Sequence, residues 1–285
     1  MTPVSTFNGG KQSGDSSTSS LKEQNSVILN IDVQLQYAVQ AQTDIILQIT
    51  VPDFAGQRVV SEQLVLSESL HSTSVPGEAG VGTRLLLCVE RDFECHYRAQ
   101  VVIDRPLVDI SPLAAVPPHR LSDDALRYLM PSRYCQSDEL QSFVEAEFGG
   151  SAGGERIASI RDWVFERFRY SADSSNRHTT AVDSLVHAQG VCRDFAHVLI
   201  ALARASSIPA RFVSGYAPYV APPDFHAVAE VYLDHAWHLV DATGMSSSNQ
   251  VAFIGMGLDA AEVAFLASFE PITLQKQTVS VLVEA

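Results

Sequence analysis

The feature that most constrains this chain is a change of apolar period at a proline-rich break. Before Ser111-Pro112 the apolar residues mostly alternate, as in strands with one buried face. Beyond Pro117-Pro118 they recur every three to four residues, as in helices packed on a core. Proline cannot continue a strand ladder and suits a connection. The chain therefore reads as a β unit over 27–110, a linker over 111–119 and a helix-bearing unit over 120–285. Strands first and helices after is the order of an α+β protein.

Within the first unit, Ile28, Leu29, Ile31, Val33, Leu35 and Tyr37 begin a strand. Segments 43–51, 58–66, 83–89 and 96–103 continue it, with a turn-rich loop at 77–82. This predicts a β-sandwich-like module. Residues 1–26 are Ser, Gly, Thr and Gln with few aliphatics, too little apolar surface to offset the entropy of ordering, and are predicted to be a disordered tail.

Composition excludes several classes of function. A net charge of −14 argues against a nucleic-acid partner, which needs a basic surface to displace counterions. The longest apolar runs, such as 198–203, are far too short to span a bilayer, and the N-terminus has no apolar leader segment. Cys88, Cys95, Cys135 and Cys192 form neither a disulfide framework nor a zinc-ligand pattern. These features predict a cytoplasmic protein with reduced thiols, no metal and no cofactor.

The second unit is read as helices over 123–130, 138–148 and 154–170. In the last of these, Ile157, Ile160, Trp163, Val164 and Phe168 form a core-facing stripe. Thr180-Ala181-Val182-Asp183 has the form of a capping box. A further helix begins after Gly190, with Phe195, Val198, Leu199 and Leu202 at helical spacing, and runs to about Ala205. Cys192 falls in its first turn, where the helix dipole favours a thiolate. Taken alone, such a cysteine is more often a small buried hydrophobe, so a matching base is needed.

A hairpin supplies it. His226 to Leu233 and Ala236 to Asp241 read as two strands joined by a two-residue turn at Asp234-His235. Leu233 then pairs with Ala236, Tyr232 with Trp237 and Glu230 with Leu239. Asp241 lies diagonal to His226 on a shared face that includes Glu230. A carboxylate in that position can orient an imidazole, which in turn can take the proton of a thiol. His197 is expected to point away from Cys192. His235 and His238, three apart on a hairpin, fall on opposite faces and do not form a metal pair.

Gly190-Val191-Cys192-Arg193-Asp194-Phe195-Ala196-His197, Ile208-Pro209-Ala210-Arg211-Phe212-Val213-Ser214-Gly215-Tyr216, Asp224-Phe225-His226-Ala227 and Val240-Asp241-Ala242-Thr243 together resemble the transglutaminase-like superfamily. More narrowly, the chain is similar to bacterial members carrying an N-terminal β-domain, over roughly residues 28–270. The resemblance implies a papain-like α+β core with Cys192 as nucleophile, His226 as general base and Asp241 as orienting acid. Arg193, Asp194, Tyr216 and Glu230 are further candidates for the cleft. The chain departs from the usual pattern at Ser207, where the superfamily usually has Gly, at Val228, where an aromatic is common, and at Leu258, where Arg is common.

The expected activity is cysteine-dependent acyl transfer through a thioester, with hydrolysis of a peptide or amide bond ahead of amine transfer because water is always at hand. The alternatives are a cross-linking transglutaminase or a non-catalytic protein-binding module on the same fold. The expected partner is a peptide or protein amide.

Overall fold

The computed structural model describes residues 26–54 and 56–284. Apart from Ser26, the segment expected to be disordered lies outside them. The strands and helices, in chain order, are β1 (Val27–Val39), β2 (Thr43–Leu47), β3 (Gln57–Leu66), β4 (His71–Pro76), β5 (Thr83–Val89), β6 (Phe93–Ile103), α1 (Asp123–Leu126), α2 (Gln141–Phe148), α3 (Gly153–Arg167) and β7 (Arg169–Tyr170). Then follow α4 (Ala181–His187), β8 (Gln189–Gly190), α5 (Cys192–Ala205), β9 (Ala210–Tyr216), β10 (His226–Leu233), β11 (Ala236–Val240), β12 (Ala252–Gly257), β13 (Leu266–Ser268) and β14 (Ile272–Val283). The fold class is α+β. Among the described residues no helix is long and apolar enough to cross a membrane.

Alternation builds the sandwich. β1 buries Leu29, Ile31, Val33, Leu35, Tyr37 and Val39 on one face, and β6 answers with Phe93, Cys95, Tyr97, Ala99, Val101 and Ile103. Two four-stranded sheets result, in the orders β14-β1-β6-β3 and β13-β2-β5-β4. The last two strands correct the expected division of the chain. Residues 120–285 do not form one unit, because β13 pairs with β2 and β14 runs antiparallel to β1 from Val39↔Ile272 to Leu29↔Val283. A strand cannot leave the edge of β1 open without exposing a row of unpaired amides. β4 has no apolar alternation, being exposed at nearly every position, and leaves no trace in the sequence pattern.

The middle of the chain forms a separate four-stranded antiparallel sheet, β11-β10-β9-β12, with α5 packed against β9 and β10. Every residue of α5 from Asp194 to Arg204 is buried. Such a helix must satisfy its polar side chains internally. Arg204 does so through Nε to Ala210 O (2.9 Å), Nη1 to Met130 O (3.0 Å) and Ser132 Oγ (3.1 Å), and Nη2 to Leu258 O (2.6 Å).

The proline-rich segment is docked rather than free. Ala115 bridges to Leu233, the Asp234 N–H donates to Ala114 O at 3.0 Å, and the Gly154 N–H donates to Leu113 O at 2.8 Å. The approach at Gly154 is so close that a Cβ there would lie 1.6 Å from Ile110 O. The sandwich and this sheet are also joined directly. Gln57 holds the Phe253 backbone by Nε2 to O (3.0 Å) and N to Oε1 (2.8 Å), Tyr216 donates its hydroxyl to Ile49 O (2.7 Å), and Phe225 stacks on Phe265 at 4.3 Å.

α5 ends in a Schellman motif. The Ile208 N–H donates to Ala203 O at 3.0 Å and the Ser207 N–H to Arg204 O at 2.9 Å, with Ser207 at φ +59°. A side chain in the left-handed region costs about 1–2 kcal/mol, partly offset by the lower unfolded-state entropy of serine relative to glycine. Ser207→Gly is therefore expected to stabilise the protein by roughly 0.5–1 kcal/mol in urea unfolding. An unchanged or lowered midpoint would contradict strain at this position.

Candidate active site

Local chemistry places Cys192 at the first residue of α5. Val191 precedes it in extended geometry, and the Asp194 carboxylate reaches back to accept the Val191 N–H at 2.8 Å. This is one half of a capping box, since valine has no side-chain acceptor to complete it. Asp194 lies so tightly over Gly190 that a Cβ at Gly190 would be 2.5 Å from the Asp194 Cβ. Gly190 and Asp194 thus work as a pair, and Asp194, fully buried, supports the helix start rather than the cleft. The Cys192 thiol is part-buried, 3.9 Å from Phe225 O.

The hairpin forms in the expected register: Leu233↔Ala236, Tyr232↔Trp237 and Glu230↔Leu239. Asp234 and His235 have φ of 45° and 62°, the two positive values of a type I′ turn. His226 opens β10 and Asp241 follows β11, and His226 Nε2 lies 2.8 Å from Asp241 Oδ2. Asp241 accepts four other hydrogen bonds. Thr243 N (2.7 Å) and Oγ1 (2.6 Å) reach Oδ1, while Ser246 N (2.9 Å) and Oγ (2.7 Å) reach Oδ2. A carboxylate can only accept, so His226 Nε2 carries a proton and Nδ1 is left for another partner. Among the described residues Nδ1 has no hydrogen-bond partner at resting geometry.

Burial disfavours charge on both groups, but in each case the partner prevails. Burial pushes the Asp241 carboxyl up, yet His226, Thr243 and Ser246 hold it below its ordinary range. Burial pulls His226 down, while the hydrogen bond to Asp241 and the adjacent Cys192 thiol raise it to about 9. The three side chains proposed from sequence therefore meet at one place, with the imidazole between the carboxylate and the sulfur.

Two neighbours were not foreseen. The helix expected over 154–170 stops at Arg167, and Arg169-Tyr170 instead pairs in parallel with Gln189-Gly190. That ladder brings the Tyr170 hydroxyl beside the Cys192 thiol and backbone N–H; burial and the neighbouring sulfur raise its proton affinity well above that of an ordinary phenol. The second is Asp224, two residues before His226. It accepts from the Phe225 N–H (2.7 Å) and from Gln277 Nε2 on β14 (2.5 Å), and burial raises its carboxyl. The helix-like pattern hid Tyr170, whereas proximity to His226 could have singled out Asp224.

The remaining candidates disperse. Arg193 clamps the rim, with Nη2 at 2.7 Å from both Ser175 Oγ and Asn176 O. Tyr216 is not in the cleft but fully buried against the sandwich. Glu230 is bound to Arg211 Nε at 2.6 Å, four residues and about 13 Å along the strand from His226. His197 is buried between Tyr134 and Phe212, and its Nε2 accepts the Ala260 N–H at 3.2 Å. Burial lowers its pKa to about 3, so it is neutral. Among the described residues no group of three or more His, Cys, Asp or Glu is placed to hold a metal ion.

Comparison with known proteins follows this geometry. The profile of the transglutaminase-like superfamily matches residues 143–242. The chain is 27% identical over 116 residues to an uncharacterised protein of Mycobacterium leprae, covering 38% of this chain and 41% of that one. It is 31% identical over 83 residues to an uncharacterised protein of Mycobacterium tuberculosis, covering 29% and 26%. The match thus spans less than half the length of these curated relatives. A crystal structure of a candidate cysteine protease from Cytophaga hutchinsonii superimposes with a TM-score of 0.86 at 33% identity, covering 91% of both chains. With a third of its residues identical to that protein over nine-tenths of both chains, this chain belongs to the transglutaminase-like superfamily.

Proposed function

We propose that the protein is a cysteine-dependent acyl-transfer enzyme that hydrolyses a peptide or amide bond through a thioester on Cys192. The observation carrying this reading is the fixed imidazole of His226, with Nε2 bound to Asp241 at 2.8 Å and the Cys192 thiol beside the ring. The likeness to a candidate cysteine protease supports it. The unpaired thiols fit a reducing compartment, and we propose the cytoplasm.

In this mechanism His226 Nδ1 takes the proton of the Cys192 thiol, and the thiolate sulfur attacks the carbonyl carbon so that a C–S bond forms. The oxyanion is stabilised by the Cys192 N–H at the α5 N-terminus and by the Tyr170 hydroxyl. As the tetrahedral intermediate collapses, the C–N bond breaks and His226 gives the leaving amine its Nδ1 proton. Water then attacks the thioester, His226 takes a proton from it, and the acid and the thiol are released. Asp241 stabilises the imidazolium in both steps.

Cys192→Ala is expected to abolish turnover on a panel of peptide and glutamine-amide substrates. In mapped iodoacetamide labelling near pH 6, Cys192 should react ahead of Cys88, Cys95 and Cys135. Equal labelling together with unchanged activity in the variant would defeat the enzyme reading. Incorporation of a fluorescent primary amine in preference to hydrolysis would favour cross-linking instead.

The pH dependence has a definite sign. His226 must be protonated to release the amine, so kcat/KM should fall as pH rises through about 9. Asp241→Asn removes the charge that raises His226 and leaves burial, which lowers it. The alkaline limb should then move to lower pH and kcat/KM should drop by about 10²–10⁴-fold. An alkaline limb that stays in place would show that His226 is not the titrating acid.

A further inference from the structure

β14 is the outermost strand of its sheet, so one of its edges pairs with β1 and the other pairs with no strand among the described residues. The Glu284 N–H donates to Ile28 O at 2.9 Å, and the register then makes 280, 282 and 284 the residues bonded to β1. The N–H and C=O groups of Val279, Val281 and Val283 therefore point the other way. A cavity of about 500 Å³ lies along this edge, lined by residues 279–283 and, across from them, by Pro218, Tyr219, Val220 and Pro223. A free edge of this kind is a template for a further strand. Extended peptides add to such edges through main-chain hydrogen bonds, and pockets for alternate side chains supply selectivity.

The edge leads to the proposed nucleophile through Asp224. This residue also lines the cavity and is bonded to Gln277 at 2.5 Å, which places it at the Val279 end. The next residue is Phe225, whose ring stacks on Phe265 at 4.3 Å and whose carbonyl oxygen lies 3.9 Å from Cys192 Sγ. Edge, carboxylate and sulfur are thus neighbours in turn.

Charge selects what lies there. Among the described residues Asp224 is the only charged one lining the cavity. Its Oδ1 accepts from the Phe225 N–H and from Gln277 Nε2, both neutral donors, while Oδ2 has no partner among the described residues and is not sealed from solvent. The other charges close to the thiol come in pairs, His226 with Asp241 and Arg193 with Asp194. Asp224 is left without a counter-ion, and burial disfavours its charge, a cost that a bound cation offsets. The apolar walls at Val220 and Pro223 suit the aliphatic stem of a basic side chain. We infer that the substrate is a peptide held as an added strand along Val279, Val281 and Val283, with a lysine or arginine side chain seated on Asp224. This rests on the reading of Cys192 as the nucleophile of a peptide substrate.

Calorimetry on Cys192→Ala tests the site without turnover. The probes are blocked octapeptides of Ser, Thr and Gln carrying a single lysine at each position in turn, with norleucine in its place as the uncharged match. In at least one position the lysine peptide is expected to bind at least about tenfold more tightly than its match. Adding Asp224→Asn should bring the two within about twofold. N-methylation of alternate peptide nitrogens beside the lysine should weaken binding at least about fivefold. In the wild type, kcat/KM should show the same preference for lysine. Equal binding of lysine and norleucine peptides at every position overturns the inference, as does a lack of saturable binding up to about 10 mM. Full tolerance of N-methylation overturns it too, since it excludes strand pairing. If Asp224→Asn does not fold, the lysine and norleucine pairs and the N-methylated peptides still decide. A folded Asp224→Asn that keeps the lysine preference places the cation elsewhere and refutes the site. Lysine-selective binding with no turnover by the wild type would uphold the groove and defeat the thiol chemistry, so the two readings fail separately.

Discussion

The structure depends on burying α5 from all sides. Each large aliphatic side chain fully removed from water there contributes about 1.5–3 kcal/mol, and Val198, Leu199, Ile200 and Leu202 are all at 0% exposure. The same enclosure makes every polar residue on the helix costly unless it is paired. Asp194, His197 and Arg204 are accordingly each tied to backbone from a different segment: Val191, Ala260, and Ala210, Met130 and Leu258. These bonds turn a buried helix into a fixed one. Only the first turn, with Cys192, reaches the cleft.

The imidazole opposite the helix start is fixed as firmly. Asp241 receives five hydrogen bonds, four of them from the loop that follows it, so its carboxylate is oriented before it meets His226. Preorganisation of this kind places the cost of ordering in folding rather than in the reaction. Local hydrogen bonding therefore decides His226's tautomer, and the Asp241 charge decides its proton affinity against the opposing pull of burial.

The sandwich belongs to the same mechanical unit. β14 closes the edge of β1 and also carries Gln277, which holds Asp224 beside His226. The docked segment around Ala114 and Ala115 braces the hairpin turn at its far end. The β10–β11 hairpin is thus gripped at both ends by residues distant in sequence.

Much of this was legible in the chain alone. Period-two and helical patterns located β1, β6 and α5. Glycine, capping and turn chemistry located the helix start at Cys192, and two-residue hairpin spacing placed His226 near Asp241. These features are legible because side-chain period and turn geometry act over a few residues. Tertiary structure alone decided that Tyr170 meets the thiol, that Tyr216 faces the sandwich and Glu230 pairs with Arg211, and that β14 returns to β1. Each of those depends on a contact between segments far apart in sequence. Such a contact is set by which surfaces fit and which buried charges find partners, and a local pattern carries no record of it.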